Sequence, residues 1–163
     1  LVAAMNPTPD GKMPAESRSS PREIQNYLGR ISGPLLDRVD LHIEVPPVKF
    51  REMSSEGSGE PSVTIRKRVI AARNRQHNRY TKTRIPCNAR MGTRELKAHC
   101  TLDDTNKELL RQAMDELKLS ARAYDRILKV ARTIADLDSA DTIGTAHLSE
   151  AIQYRSLDRQ IWG

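Results

Sequence analysis

Apolar and polar positions follow two different periods along the chain, and the change between them marks its organisation. Residues 1–5, Leu-Val-Ala-Ala-Met, form an unbroken apolar run stopped by Asn6-Pro7, the pattern of a buried strand. Residues 7–20 are rich in proline and small polar residues and read as a loop. Ser20-Pro21-Arg22-Glu23 supplies an N-cap, a proline at the first helical position and a capping-box glutamate, so a short helix is expected to about Leu28. Gly29 and Gly33-Pro34 punctuate it, and Leu35–Arg38 makes one more turn. Residues 39–45, Val-Asp-Leu-His-Ile-Glu-Val, alternate apolar and polar, which predicts a half-buried strand closed by Pro46-Pro47.

After a connector at 53–61 the period becomes helical. Ser62 to Tyr80 reads as a helix with Ile65, Val69 and Ala72 on one face and Arg68, Arg75, Arg79 and Lys82 along another. Residues 84–92 look irregular, broken by Pro86 and Gly92. Thr105-Asn106-Lys107-Glu108 reads as a capping box opening a helix to about Lys118, with Leu109, Leu110, Ala113, Met114 and Leu117 inward. Ser120 caps a helix through Asp136, on which Ile127, Val130, Ala131 and Ile134 recur at helical spacing. Thr145 caps a last helix to about Leu157, with Leu148, Ala151 and Ile152 inward. The expected class is mainly α with a short α/β piece, and no internal repeat is visible.

Composition narrows the function classes. No apolar run approaches the roughly 20 residues of a membrane span, and the start does not read as a secretory leader. Two cysteines, Cys87 and Cys100, are too few for a disulfide framework, so a reducing, cytoplasmic compartment is expected. Charge is concentrated: ten basic residues and no acid lie between Pro61 and Arg94, against a whole-chain net charge of +6, so the remainder is net acidic. A local basic stripe suits a polyanion surface better than a diffuse excess does. It equally suits a solvated helix face inside a larger assembly, and no aromatic ladder interleaves it as a single-strand stacking platform needs.

Four runs, taken in order, resemble the second half of an AAA+ ATPase module of the magnesium-chelatase-like branch, the ComM/YifB type. They are Leu-Val-Ala-Ala-Met-Asn-Pro (1–7), Arg-Ile-Ser-Gly-Pro-Leu-Leu-Asp-Arg-Val-Asp-Leu-His-Ile-Glu-Val-Pro (30–46), the stretch from Leu119 to Leu137 that opens Leu-Ser-Ala-Arg, and Tyr-Arg-Ser-Leu-Asp-Arg (154–159). The resemblance implies the C-terminal part of such a module: 1–52 as part of the α/β core, 53–61 as a linker, 62–104 as a basic helix and connector, and 105–163 as the helical lid. A first residue of Leu rather than Met fits an expectation that the chain is a piece of a longer protein.

Residue by residue, the resemblance places Asn6 as sensor 1, an amide that orients water or the γ-phosphate without adding charge. It makes Arg38 the arginine finger, Arg122 the sensor 2 arginine in the first turn of a helix, and Arg126 a second nucleotide contact. Read from the residues alone, Asn6-Pro7 is a strand stop, Arg38 pairs with Asp37 or Asp40, and Arg126 makes a surface or interdomain pair. Nothing resembles a Gly-x-x-x-x-Gly-Lys-Ser/Thr loop or the paired acids that hold magnesium, so these residues alone are expected not to hydrolyse ATP. No metal site is expected, since Cys87, His99 and Cys100 form no paired-cysteine motif.

The function implied is ATP-driven DNA remodelling, helicase or branch-migration work in recombination or transformation. ATP and Mg2+ would serve the intact protein, in a homo-oligomer of hexameric form, together with the missing N-terminal part of the same protein and with no membrane partner. Arg68, Arg75, Arg79 and Lys82 are the nucleic-acid-binding candidates. Two other readings remain: a chelatase-type motor acting on a protein partner for metal insertion, and a non-enzymatic basic helical module that binds nucleic acid.

Overall fold

The computed structural model describes residues 1–46, 48 and 59–155. Most of the 53–61 connector and the tail of the 154–159 run therefore lie outside the described residues. Seven α-helices occur among them: α1 (Pro21–Leu28), α2 (Gly33–Leu36), α3 (Ser62–Tyr80), α4 (Thr93–His99), α5 (Asp104–Glu116), α6 (Ala121–Leu137) and α7 (Thr145–Gln153), with a 3₁₀ turn at Asn88–Arg90. None is long and apolar enough to cross a membrane, among the described residues.

Local chemistry sets most boundaries. At α1 the Ser20 hydroxyl accepts from the Glu23 N–H, and the Glu23 carboxylate accepts in return from the Ser20 N–H at 2.7 Å. At α6 the Ser20 logic repeats: Ser120 Oγ accepts from the Ala123 N–H at 3.2 Å. Two starts differ from the sequence reading. Asp103, not Thr105, caps α5, its carboxylate accepting from the Asn106 N–H at 2.8 Å. A charged acceptor satisfies the same orphan donor more strongly, and it moves the helix start forward. Thr145 is the first residue of α7 rather than its cap; Gly144 precedes it and donates its N–H to His147 Nδ1 at 3.0 Å.

Two helices end in a left-handed residue that is not glycine, Lys118 (φ 50°) and Ser139 (φ 59°). Behind each, a wide backbone bond closes the turn, Leu119 N–H to Met114 C=O at 3.0 Å and Ala140 N–H to Ala135 C=O at 2.8 Å. These bonds satisfy orphan carbonyls and offset a cost of roughly 1 kcal/mol for the left-handed conformation.

One core joins α3 to α7. Leu110 of α5, Ile127, Leu128 and Ala131 of α6, and Leu148 and Ala151 of α7 pack with Tyr80, Met91, Leu96 and Cys100. The basic helix is therefore part of the bundle's packing, and the stretch read as a connector contributes to the same core as 105–155. Helix α3 enters it with Ala72, Gln76 and Tyr80, all buried. Its first ten residues are exposed, Ile65 at 41% and Val69 at 44%, so of the apolar face expected there only Ala72 is buried.

The two segments expected to be strands carry no strand. Residues 1–6 are exposed, Leu1 and Val2 fully, and residues 41–46 have no regular structure, with Ile43 at 65% and Val45 at 78% exposure. A strand exists by pairing, and neither segment has a ladder partner among the described residues. The alternation expected over 39–45 is not kept: Leu41, Ile43 and Val45 are exposed, and the segment is tied down instead at His42, whose N–H donates to the Tyr154 carbonyl at 2.9 Å. The loop 7–20 is ordered around Asp10, which accepts from Thr8 Oγ1, Ser17 Oγ and the Arg18 N–H. Those bonds, the Arg18 amide first, hold its carboxyl well below the usual carboxylate range. Gly11 has φ 78°, which a side chain rarely adopts.

Candidate functional site

The short turn at Leu36–Asp40 lies against the start of α6 and the end of α7, and four arginines meet there. Ser120 Oγ donates to Asp37 Oδ1 at 3.0 Å, so the residue that caps α6 also grips this turn. Arg155 Nη2 lies 3.7 Å from Asp37 Oδ1, and its Nη1 donates to the Val39 carbonyl. Arg122 Nη1 is 4.0 Å from Asp37 Oδ2. One turn along α6, Arg126 Nη1 donates to the Arg38 carbonyl at 2.8 Å and to the Asp40 carboxylate.

Arg38 is paired with neither carboxylate beside it. Asp37 and Asp40 are occupied by the other three arginines and by Ser120, and the Arg38 guanidinium is exposed, bonded among the described residues only to the Pro34 carbonyl of its own turn at 3.4 Å. Arg122 is also open, its side chain 72% exposed. Arg126 is different: its side chain is 24% exposed and is spent on the turn. A groove of about 560 Å³ opens beside these residues, with Asp40, Leu41, Ile43, Arg122, Arg126 and Tyr154 among its lining. Asn6 stands elsewhere, exposed and near the Gly11 turn, and no contact among the described residues joins it to Arg38 or Arg122.

The basic stripe divides into an inward and an outward part. Arg79 makes a two-pronged pair with Asp136, Nη2 to Oδ1 at 2.5 Å and Nη1 to Oδ2 at 2.7 Å, and also donates to Asn88 Oδ1 at 3.0 Å. Arg75 bonds Asp141 Oδ1 at 2.5 Å and the Ala140 carbonyl at 3.1 Å. Arg68 forks onto Glu60 at 2.9 and 3.0 Å while remaining half-exposed. Of the four candidates, Lys82 alone is exposed with no ion pair among the described residues, a condition shared by Arg66, Lys67, Arg73, Arg84, Arg90 and Arg94.

Asp136 explains the inward turn of the stripe. It is completely buried, Arg132 Nη2 lies 3.2 Å from it one helical turn back, and Asn88 Nδ2 donates to it at 2.8 Å. Burial opposes its ionisation, but the hydrogen bonds from Arg79 and Asn88 prevail and hold the carboxyl below its ordinary range. The same bond from Asp136 raises Arg79, whereas burial lowers Arg132. Sequence reading missed Asp136, Asn88, Arg132 and Arg155. The available signal was Arg132–Asp136 at i,i+4, placed beside the apolar positions Ala131 and Ala135.

The sulfur and imidazole groups do not gather. Cys100 is buried, and burial pushes its thiol up to about 11, with Met91 Sδ at 4.0 Å. Burial also lowers His99, which meets Tyr80 edge-on. Among the described residues no group of three potential ligands could hold a metal ion.

A family model for the C-terminal part of the magnesium chelatase subunit ChlI matches residues 59–155, and a second, for ChlI itself, matches residues 1–53. The chain belongs to the magnesium chelatase ChlI family. The C-terminal match runs across α3 to α7 without a break and takes in the whole shared core. Among curated relatives of this ChlI-family chain, the uncharacterized protein YifB of Salmonella typhimurium is 45% identical over 161 residues, covering 98% of the chain. The competence protein ComM of Haemophilus influenzae is 44% identical over 161 residues, with the same coverage. An uncharacterized protein of Mycobacterium tuberculosis is 32% identical over 156 residues, covering 95%. In each case the chain spans 31% of the relative's own length.

Proposed function

We propose that this ChlI-family chain is the sensor-and-finger portion of a ring-forming AAA+ ATPase that remodels DNA. The observation that carries the reading is the pair of open guanidiniums: Arg38 and Arg122 both belong to the cluster around Asp37, yet neither is spent on a strong internal partner. ATP with Mg2+ supplies the phosphoanhydride bond, and these two exposed cations fit its phosphates. Arg38 reaches a nucleotide held by a neighbouring subunit and neutralises charge developing on the transferred phosphoryl group. Arg122, in the first turn of α6, faces the nucleotide of its own subunit, where the helix end favours an anion. Arg126 keeps the turn in place. Asn6, at the end of an exposed segment, takes its sensor 1 position only when the remainder of the α/β core pairs with it.

DNA is the substrate we favour because seven solvent-facing cations of the 61–94 segment meet no carboxylate among the described residues. The name of the Haemophilus influenzae relative, a competence protein, is in keeping with DNA handling. Work on a protein partner has one observation in its favour. Val63, Ile65, Val69 and Ile70 are exposed on the free half of α3, and phosphates do not cover aliphatic groups.

The test uses the full-length parent oligomer, with ATP hydrolysis measured with and without branched, single-stranded and duplex DNA at two salt concentrations. Stimulation that fades with salt is the expected result. Arg38→Ala is expected to abolish turnover and spare nucleotide binding. Hydrolysis indifferent to DNA turns the reading to a protein substrate; normal turnover by Arg38→Ala removes the finger.

A further inference from the structure

Three main-chain groups of the segment that carries Arg38 are tied to the helical bundle. The Arg38 carbonyl accepts from Arg126 at 2.8 Å, the Val39 carbonyl accepts from Arg155, and the His42 N–H donates to the Tyr154 carbonyl at 2.9 Å. Two side-chain ties reinforce them, Ser120 to Asp37 and Arg126 to Asp40. Bonds to backbone carbonyls fix the path of the chain, which bonds between flexible side-chain tips do not. Arg155 is suited to this: it is 1% exposed, so its guanidinium has no freedom to follow a moving partner.

We propose that Arg126 and Arg155 are positioning residues that lock the Arg38 turn onto α6, so that Arg38 and Arg122 move as one body. Arg122 and Arg126 are four residues apart, on one face of α6. Arg122 turns to solvent while Arg126 holds the Arg38 backbone. Any displacement of the start of α6 by an anion at Arg122 is carried to Arg38 without a loose joint between them. The functional half of this inference rests on the ATPase reading above, since it links a subunit's own nucleotide to the arginine it presents to its neighbour. The mechanical half stands without it. Arg126 accordingly holds the turn and does not touch phosphate, and the 154–159 run acquires a role through Arg155.

The mechanical half is tested on this chain by amide hydrogen exchange. Arg126→Gln is expected to speed exchange at His42 and at Val39 by about tenfold while the α6 amides of Ala131 and Ala135 keep their protection. Arg155→Lys is expected to do the same more strongly. Should Arg155→Lys loosen α6 as well, Arg126→Gln, at a partly exposed position, decides alone. Unchanged exchange at His42 in Arg126→Gln overturns the lock, whatever the parent protein does with ATP.

The coupling half is tested in the full-length oligomer. Arg126→Gln is expected to lower kcat about tenfold with KM within about twofold of the parent, because Arg126 does not itself touch ATP. Arg126→Lys, which keeps a donor for the Arg38 carbonyl, is expected to recover part of that activity. A raised KM with kcat intact makes Arg126 a phosphate ligand and overturns the assignment. Normal turnover in Arg126→Gln, when Arg38→Ala is inactive, overturns the coupling but leaves the finger standing. If Arg38→Ala turns over normally, the finger reading fails and the exchange result is unaffected.

Discussion

Removing the Asp136 carboxylate is the sharpest test of what holds α3 to the bundle. Asp136 is completely buried and is shared by Arg79 at 2.5 Å, Arg132 at 3.2 Å and Arg75 at 4.0 Å. Arg132 is 2% exposed and the Arg79 side chain 14%, so neither guanidinium can turn to water once the acid is gone. Breaking a buried pair from one side typically costs about 3–5 kcal/mol, because an uncompensated charge is left behind. Asp136→Ala is therefore expected to lower Tm by about 15–30 °C for a helical unit of this size. Urea unfolding of the chain followed by circular dichroism gives the free-energy loss directly. Asp141→Asn is the control: its carboxylate also bonds Arg75, but it is 94% exposed, and about 0.5 kcal/mol or less is expected. The pH dependence fixes the sign. Because the folded Asp136 carboxyl is depressed below 3.8, its contribution is complete above that value and is lost as pH falls through the folded value. Asp136→Ala should remove that part of the acid sensitivity. A loss below about 1 kcal/mol would refute the argument that one buried anion holds several cations in place.

Three further outcomes are expected. Ser120→Ala removes both the α6 cap and the bond to Asp37, so it should cost about 1 kcal/mol in urea unfolding, and a change within error would show that the cap is replaceable. Iodoacetamide at pH 8 should modify Cys87 well before Cys100, whose thiol is both buried and pushed up to about 11; peptide mass mapping reads the order, and equal rates would contradict the packing around Cys100. Alanine at Arg66, Lys67 and Arg73 should flatten the salt dependence of duplex DNA binding by about one unit of log–log slope for each phosphate that is no longer neutralised. An unchanged slope would take the free half of α3 out of any DNA interface.

Local order was legible wherever one short stretch of chain satisfies itself. The Ser20–Glu23 box, the Ser120 cap, the span Ser62–Tyr80 and the inward Leu110, Ile127 and Leu148 all follow from periodicity and end chemistry. The family was legible too, since Leu-Leu-Asp-Arg and Leu-Ser-Ala-Arg lie in the stretches that the two ChlI models match. Tertiary structure decided the rest. Alternation at 39–45 states which side chains would face a core, but a ladder needs a partner strand, and none lies among the described residues. The cations of α3 look alike in sequence, yet Arg75 and Arg79 flank the Ala72–Gln76–Tyr80 face and are drawn to Asp136, which lies 57 residues from Arg79 along the chain. Arg126 and Arg155 became holders of the Arg38 turn for the same reason. A charge finds its function in the nearest counter-charge that folding brings to it, and periodicity along one helix holds no information about where that is.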